Sequence, residues 1–168
     1  MGQYYKVINV SKKEYIHPHN FGDGMKLMEF GCSGQGTMTA LALLLSSGNG
    51  RGGGDMRSGD SIIGSWAGDN IVIAGDYDDA GKYDDLEVVD KIFCRGATCG
   101  VLTPAECQND NKDSKNLYTV AEESYKNISV KVLKVMLEDE WLRNNIEERV
   151  KDTWEGSALK KAYDEACK

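Results

Sequence analysis

Proline is nearly absent from this chain, two residues in 168 against nineteen glycines. That imbalance excludes rigid proline-rich linkers and points to many tight, left-handed bends on a folded body. Histidine is as scarce: His17 and His19 are the only two, so acid–base work near neutral pH falls most naturally to them. No apolar run approaches the roughly 18 residues that cross a bilayer. "MGQYYKVINV" lacks the charged-then-apolar pattern of a secretion signal, and Lys6 stands where a myristoylation signal wants Ser or Thr. A soluble, cytoplasmic chain without a membrane partner is the expectation. Basic residues are the minority, 20 against 27 acidic, for a net charge of −7. Such a field repels duplex nucleic acid and suits a basic protein partner. Five cysteines, an odd number, fit reduced thiols better than a disulfide framework.

What is present suggests one domain over residues 1–168, with 40% apolar residues for a single core. "QYYKVINV", "SKK" and "EYIHP" read as a β-hairpin with a three-residue turn. "FGDGMKLMEFG" is a Gly-Asp-Gly turn followed by a short strand or one helical turn. "TMTALALLLSS" from Thr37 reads as a buried helix, with Gly48 placed to end it. "SIIGSW" and "IVIAGDY" around Ala67-Gly68-Asp69-Asn70 predict a second hairpin. An acidic segment follows from Asp76 to Asp90, and residues 88–116 read as an insertion or mobile excursion. "NLYTVAEES" reads as a returning strand. Ser129 is placed to cap a long C-terminal helix whose apolar face includes Leu133, Leu137, Trp141, Ile146, Val150 and Trp154. Gly156 breaks it before a last short helix. The fold class expected is α+β, a small antiparallel sheet built from hairpins and packed against the helix after Thr37 and the long C-terminal helix.

The strings "MGQYYK", "HPHNFGDG", "GRGGGD" and "GSWAGD", met in that order, resemble a family of uncharacterised bacterial and bacteriophage proteins. The resemblance covers roughly the first half of the chain, and residues 88–116 and the tail after Trp154 lie outside it. It implies no activity. Occurrence in phages implies a role against host processes or host defence.

Four constellations carry chemistry. In "SGNGRGGGDMR", successive N–H groups of Gly52, Gly53 and Gly54 can form an anion-binding nest, with Arg51 and Arg57 clamping a phosphate beside Asp55. The glycines follow a helix and precede a strand, so this is neither a Walker loop nor a dinucleotide fingerprint. The plainer reading is a helix C-cap running into a connection. His17 and His19, on an extended segment, point to one side and suit a metal or shared ligand; nothing nearby in sequence completes such a site, and a structural role is the expectation. Asp76, Asp78, Gly81, Asp84 and Glu87 match calcium-loop positions, but Ala80 fails one of them, leaving a solvated acidic bend as the first reading. Cys94, Cys99 and Cys107 lack the paired spacing of a zinc site.

No cofactor and no metal are expected. The functional expectation is a binding protein, not an enzyme, that engages a host protein or a small phosphorylated ligand through its Gly-rich loops. The rival is an enzyme on a nucleotide-like substrate, with Arg51 and Arg57 on phosphate and His17, His19, Asp55 or Asp76 doing acid–base or metal work. A calcium-stabilised interaction module is the third reading.

Overall fold

The computed structural model describes residues 2–48, 50, 54–56, 58–80, 82–83 and 115–168. Along the chain run β1 (Tyr5–Asn9), β2 (Glu14–Ile16), a 3-10 turn (Pro18–Phe21), α1 (Leu27–Gly31), α2 (Thr37–Leu45), β3 (Ile71–Gly75), α3 (Leu117–Ser124), β4 (Lys126–Asn127), α4 (Ser129–Glu138), α5 (Glu140–Lys151) and α6 (Ala158–Ala166). The class is α+β, and the sheet is mixed, in the order β3-β1-β2-β4. The described fold divides into two compact units. One comprises residues 1–15 and 69–126, the other residues 16–68 and 127–168.

In the first unit, β1 is buried from Lys6 onward. It pairs antiparallel with β3, Lys6 opposite Ala74 and Ile8 opposite Val72. Alternation therefore puts Lys6, Ile8 and Val10 on one face. Ile8, Val10, Tyr15 and Ala74 pack there with Leu117, Val120, Ala121 and Tyr125 of the α3 region. The first hairpin forms as expected, its turn closed by Lys13 at φ +55°. α3 is the segment expected to be a strand. Its helicity comes from Asn116, whose side chain accepts the N–H of Thr119, and from the i, i+3, i+4 spacing of buried Leu117, Val120 and Ala121.

The second unit is helical. α4 buries Val132, Leu133, Val135, Met136 and Leu137 and packs against α2, α5, α6 and the 3-10 turn. The expected long C-terminal helix is two helices. Asp139 takes extended backbone (φ −78°, ψ 121°) and its carboxylate accepts the N–H of Leu142, ending α4 and capping α5. Trp141, at the start of α5, and Trp154, beyond its end, both expected on the buried face, are exposed.

The expected second hairpin is also replaced. Residues 61–68 form consecutive turns, and β3 takes β1 as its partner. The backbone of 61–68 is committed elsewhere: Gly64 N–H donates to Leu43 O and Trp66 N–H to Leu44 O, both at 2.8 Å. These bonds satisfy carbonyls left open at the C-terminus of α2. Gly64 makes the approach possible, since it sits at φ +74° and an added Cβ would lie 2.4 Å from Ser46 O. The Gly-Asp-Gly segment serves the other end of α2. The buried carboxylate of Asp23 accepts from Thr37 N and Thr37 Oγ1, both at 2.7 Å, and from Ser33 Oγ, while Arg149 Nη1 lies 2.7 Å from its Oδ1. The segment after this turn settles as the single helical turn α1. Most of residues 88–116 falls outside the described residues; Lys115 and Asn116 lead directly into α3.

Candidate functional site

The second unit contains a groove of about 970 Å³. One wall is the glycine-rich connection after α2, contributing Gly50, Gly54, Asp55, Met56, Ser58 and Gly59; the other is the start of α5, contributing Asp139, Glu140, Trp141 and Asn144. Gly50 (φ +90°) and Gly54 (φ +111°) hold left-handed backbone, and among the described residues nothing lies within 4 Å of a Cβ added at either. They turn the chain without being crowded. Buried Met56 lines the same wall. Ser58 Oγ donates to Glu138 Oε2 at 2.7 Å, tying the connection to the end of α4. A second hollow of about 400 Å³, lined by Ser46, Ser47, Asp60 and Ile63 among others, shares Ser58 and Gly59 with the groove.

The chemistry of this lining is acidic and aromatic. Asp55, Asp139 and Glu140 bring three carboxylates, and no Lys, Arg or His is among the described lining residues. The helix start cannot serve an incoming anion, because Asp139 already occupies the Leu142 N–H and places negative charge against the positive end of the helix. Trp141 stands beside these carboxylates, 66% exposed. Carboxylates flanking an open indole favour a cation, by charge and by attraction to the ring face.

Of the residues singled out in the sequence, Gly54 and Asp55 line the groove. Arg51, Gly52, Gly53 and Arg57 lie outside the described residues. His17 and His19 flank Pro18 at the 3-10 turn, His19 exposed and His17 half-buried, with ring centres 5.3 Å apart. They are not among the groove's lining residues. The sequence places Trp141 on the buried face of one long helix and gives Asp139 and Glu140 no role, because the apolar pattern runs across them. The signal was Asp-Glu-Trp itself, an N-cap residue followed by an acidic first turn.

Of the calcium-loop positions, Gly81, Asp84 and Glu87 lie outside the described residues. Asp76 Oδ1 accepts from Tyr4 N–H at 2.9 Å. The Asp78 carboxylate takes bonds from Gly75 N–H, Gln3 Nε2, Lys82 Nζ and Tyr83 OH. Burial pushes the Asp78 carboxyl up, yet these four donors outweigh it and hold the group below its ordinary range. Both carboxylates are thus engaged in fastening the strand end. Among the described residues, no three His, Cys, Asp or Glu side chains cluster as a metal site, and no helix is long and apolar enough to cross a membrane. Cys94, Cys99 and Cys107 lie outside the described residues; Cys32 and Cys167 are free and exposed.

Comparison of the chain with protein-family models, with curated proteins and with solved structures gives no match.

Proposed function

We propose that this chain is a binding protein whose groove beside the glycine-rich connection takes a basic segment of a protein partner. The observation that carries the reading is the set Asp55, Asp139, Glu140 and exposed Trp141 on one opening. Lysine or arginine side chains meet carboxylates at the rim and the indole face between them, and the acidic balance of the whole chain steers such a partner in. A phosphorylated small ligand would meet those carboxylates with no Lys, Arg or His among the described lining residues. Among the described lining residues there is no histidine, lysine or cysteine to supply a nucleophile–base pair, which favours binding over turnover. With the resemblance to proteins of bacteria and phages, the partner we propose is a host protein, and the role is modulation or inhibition of a host process such as defence.

Titration with arginine- and lysine-rich peptides tests the reading. Binding that weakens steeply with salt and falls several-fold in Trp141→Ala and in Glu140→Lys supports it. Binding of a nucleotide or polyphosphate in place of the peptide, lost in the Arg51→Ala/Arg57→Ala double variant, would replace it with the phosphate reading.

A further inference from the structure

We propose that the groove selects arginine over lysine and that Asn144 sets this preference, an inference that rests on the basic-segment reading above and narrows it to the guanidinium group. Glu140, Trp141 and Asn144 all line the groove, and all three are exposed. They lie in the first half of α5, where Asn144 stands four residues after Glu140 and three after Trp141. Residues at those spacings are surface neighbours on a helix, with Cβ atoms roughly 5–6 Å apart. A carboxylate, an indole and a neutral amide therefore meet around Asn144 on one helical face. Asn145 has a different role: its Nδ2 donates to Trp141 O at 2.7 Å, and it is not among the groove's lining residues.

The two basic side chains use such a face differently. A guanidinium is planar and weakly hydrated; stacked on the indole, it keeps its N–H donors in its own plane, directed outward at acceptors beside the ring. The Glu140 carboxylate and Asn144 Oδ1 can then accept together, and a charged donor makes each bond stronger than a neutral one would be. An ammonium is a compact, strongly hydrated charge whose donors splay from a single nitrogen. It cannot hold the ring face and reach acceptors on separate residues at once, so it settles beside a carboxylate and keeps much of its water. Asp55 and Asp139 attract either cation by charge alone, and one Asp139 oxygen already serves the Leu142 N–H. These carboxylates supply attraction without discrimination. Asn144 has no charge, so what it adds is direction, and only the planar cation can use that.

Two peptides of one length and one net charge, differing only in arginine against lysine at every basic position, test the inference by calorimetric titration of the intact chain. The arginine peptide should bind roughly fivefold more tightly than the lysine peptide. Asn144→Ala should bring the arginine peptide down to the lysine level and leave the lysine peptide's affinity unchanged, a pattern that a general disturbance of α5 would not give. Asymmetric dimethylation of the arginines keeps their charge and removes donors, and should have the same effect on the unaltered chain. Equal affinity for the two peptides, a preference kept in Asn144→Ala, or full affinity for the methylated peptide would overturn the arginine preference while leaving the basic-segment reading in place. Failure of both peptides to bind would overturn that reading and this inference with it.

Discussion

The two ends of α2 and the groove that follows it are both built from glycine-rich sequence, and the glycines do opposite work in them. At the ends of α2 they permit close approach. A Cβ on Gly36 would lie 2.2 Å from Asp23 Oδ2, and one on Gly64 2.4 Å from Ser46 O. At the groove, a Cβ on Gly50 or Gly54 meets nothing within 4 Å among the described residues, and these glycines bend the chain. The first set lets a buried carboxylate and two backbone N–H groups close off a helix; the second leaves an opening lined by charge. Thus "FGDG" and "GSWAGD" have a structural explanation in the caps of α2, whereas the sequence around "GRGGGD" borders the surface available for binding.

The largest effect expected from this contrast is at Asp23. Asp23→Ala strips Thr37 of its acceptor and leaves Arg149 without its carboxylate partner, and should cost roughly 3 kcal/mol in a urea unfolding experiment. Gly64→Ala should also destabilise, since it combines left-handed strain with a contact to Ser46 O. Unchanged unfolding midpoints in both would remove the distinction between the two glycine sets.

A second buried charge sharpens the comparison. Lys6 is fully buried, 3.8 Å above the Tyr118 ring, with its ammonium 3.3 Å from the exposed carboxylate of Glu122. The contact is an ion pair without hydrogen-bond geometry. Burial pushes the Lys6 amine below its ordinary value more than Glu122 lifts it. The unfolded chain then holds more protons than the folded one between the lowered value and 10.5, so this group adds stability as pH rises through that window. Tyr118 opposes it at higher pH. Burial and then Glu122 push its phenol to about 12, so the unfolded chain ionises first and stability falls from pH 10 upward. Lys6→Met should abolish the alkaline gain, and Tyr118→Phe the loss above pH 10, both read from unfolding midpoints across pH 8–11.

Much of this was legible in the residues and some was not. The α+β class, the first hairpin and α2 follow from local pattern. The strand expected at "NLYTVAEES" is a helix because one cap, Asn116, outweighs a mixed periodicity. The expected hairpin at residues 61–77 fails because its first half is spent on the carbonyls of Leu43 and Leu44, a long-range demand invisible in alternation. For the groove, Gly54 and Asp55 were within the stretch singled out, while Trp141 was hidden in an apparently continuous helix that Asp139 interrupts.

Smaller effects are expected at the groove itself. Trp141→Ala should leave stability within about 0.5 kcal/mol, as exposed positions usually do, while lowering affinity for a basic peptide. Arg51→Ala with Arg57→Ala should leave that affinity unchanged or raise it, because like charge is removed; a loss would assign the arginines to binding. Smallest of all, millimolar calcium should not move the melting temperature, since Asp76 and Asp78 already accept internal donors. A calcium-dependent rise of several degrees, lost in Asp78→Ala, would contradict that use of the acidic bend.

The most direct measurement is a backbone NMR titration of the intact chain with an arginine- and lysine-rich peptide at low ionic strength. The account predicts perturbations concentrated at Asp55, Ser58, Glu140, Trp141 and Asn144, reversed by added salt, with the caps of α2 at Asp23 and Thr37 unmoved. Perturbations centred on those caps, or none at the groove, would contradict it.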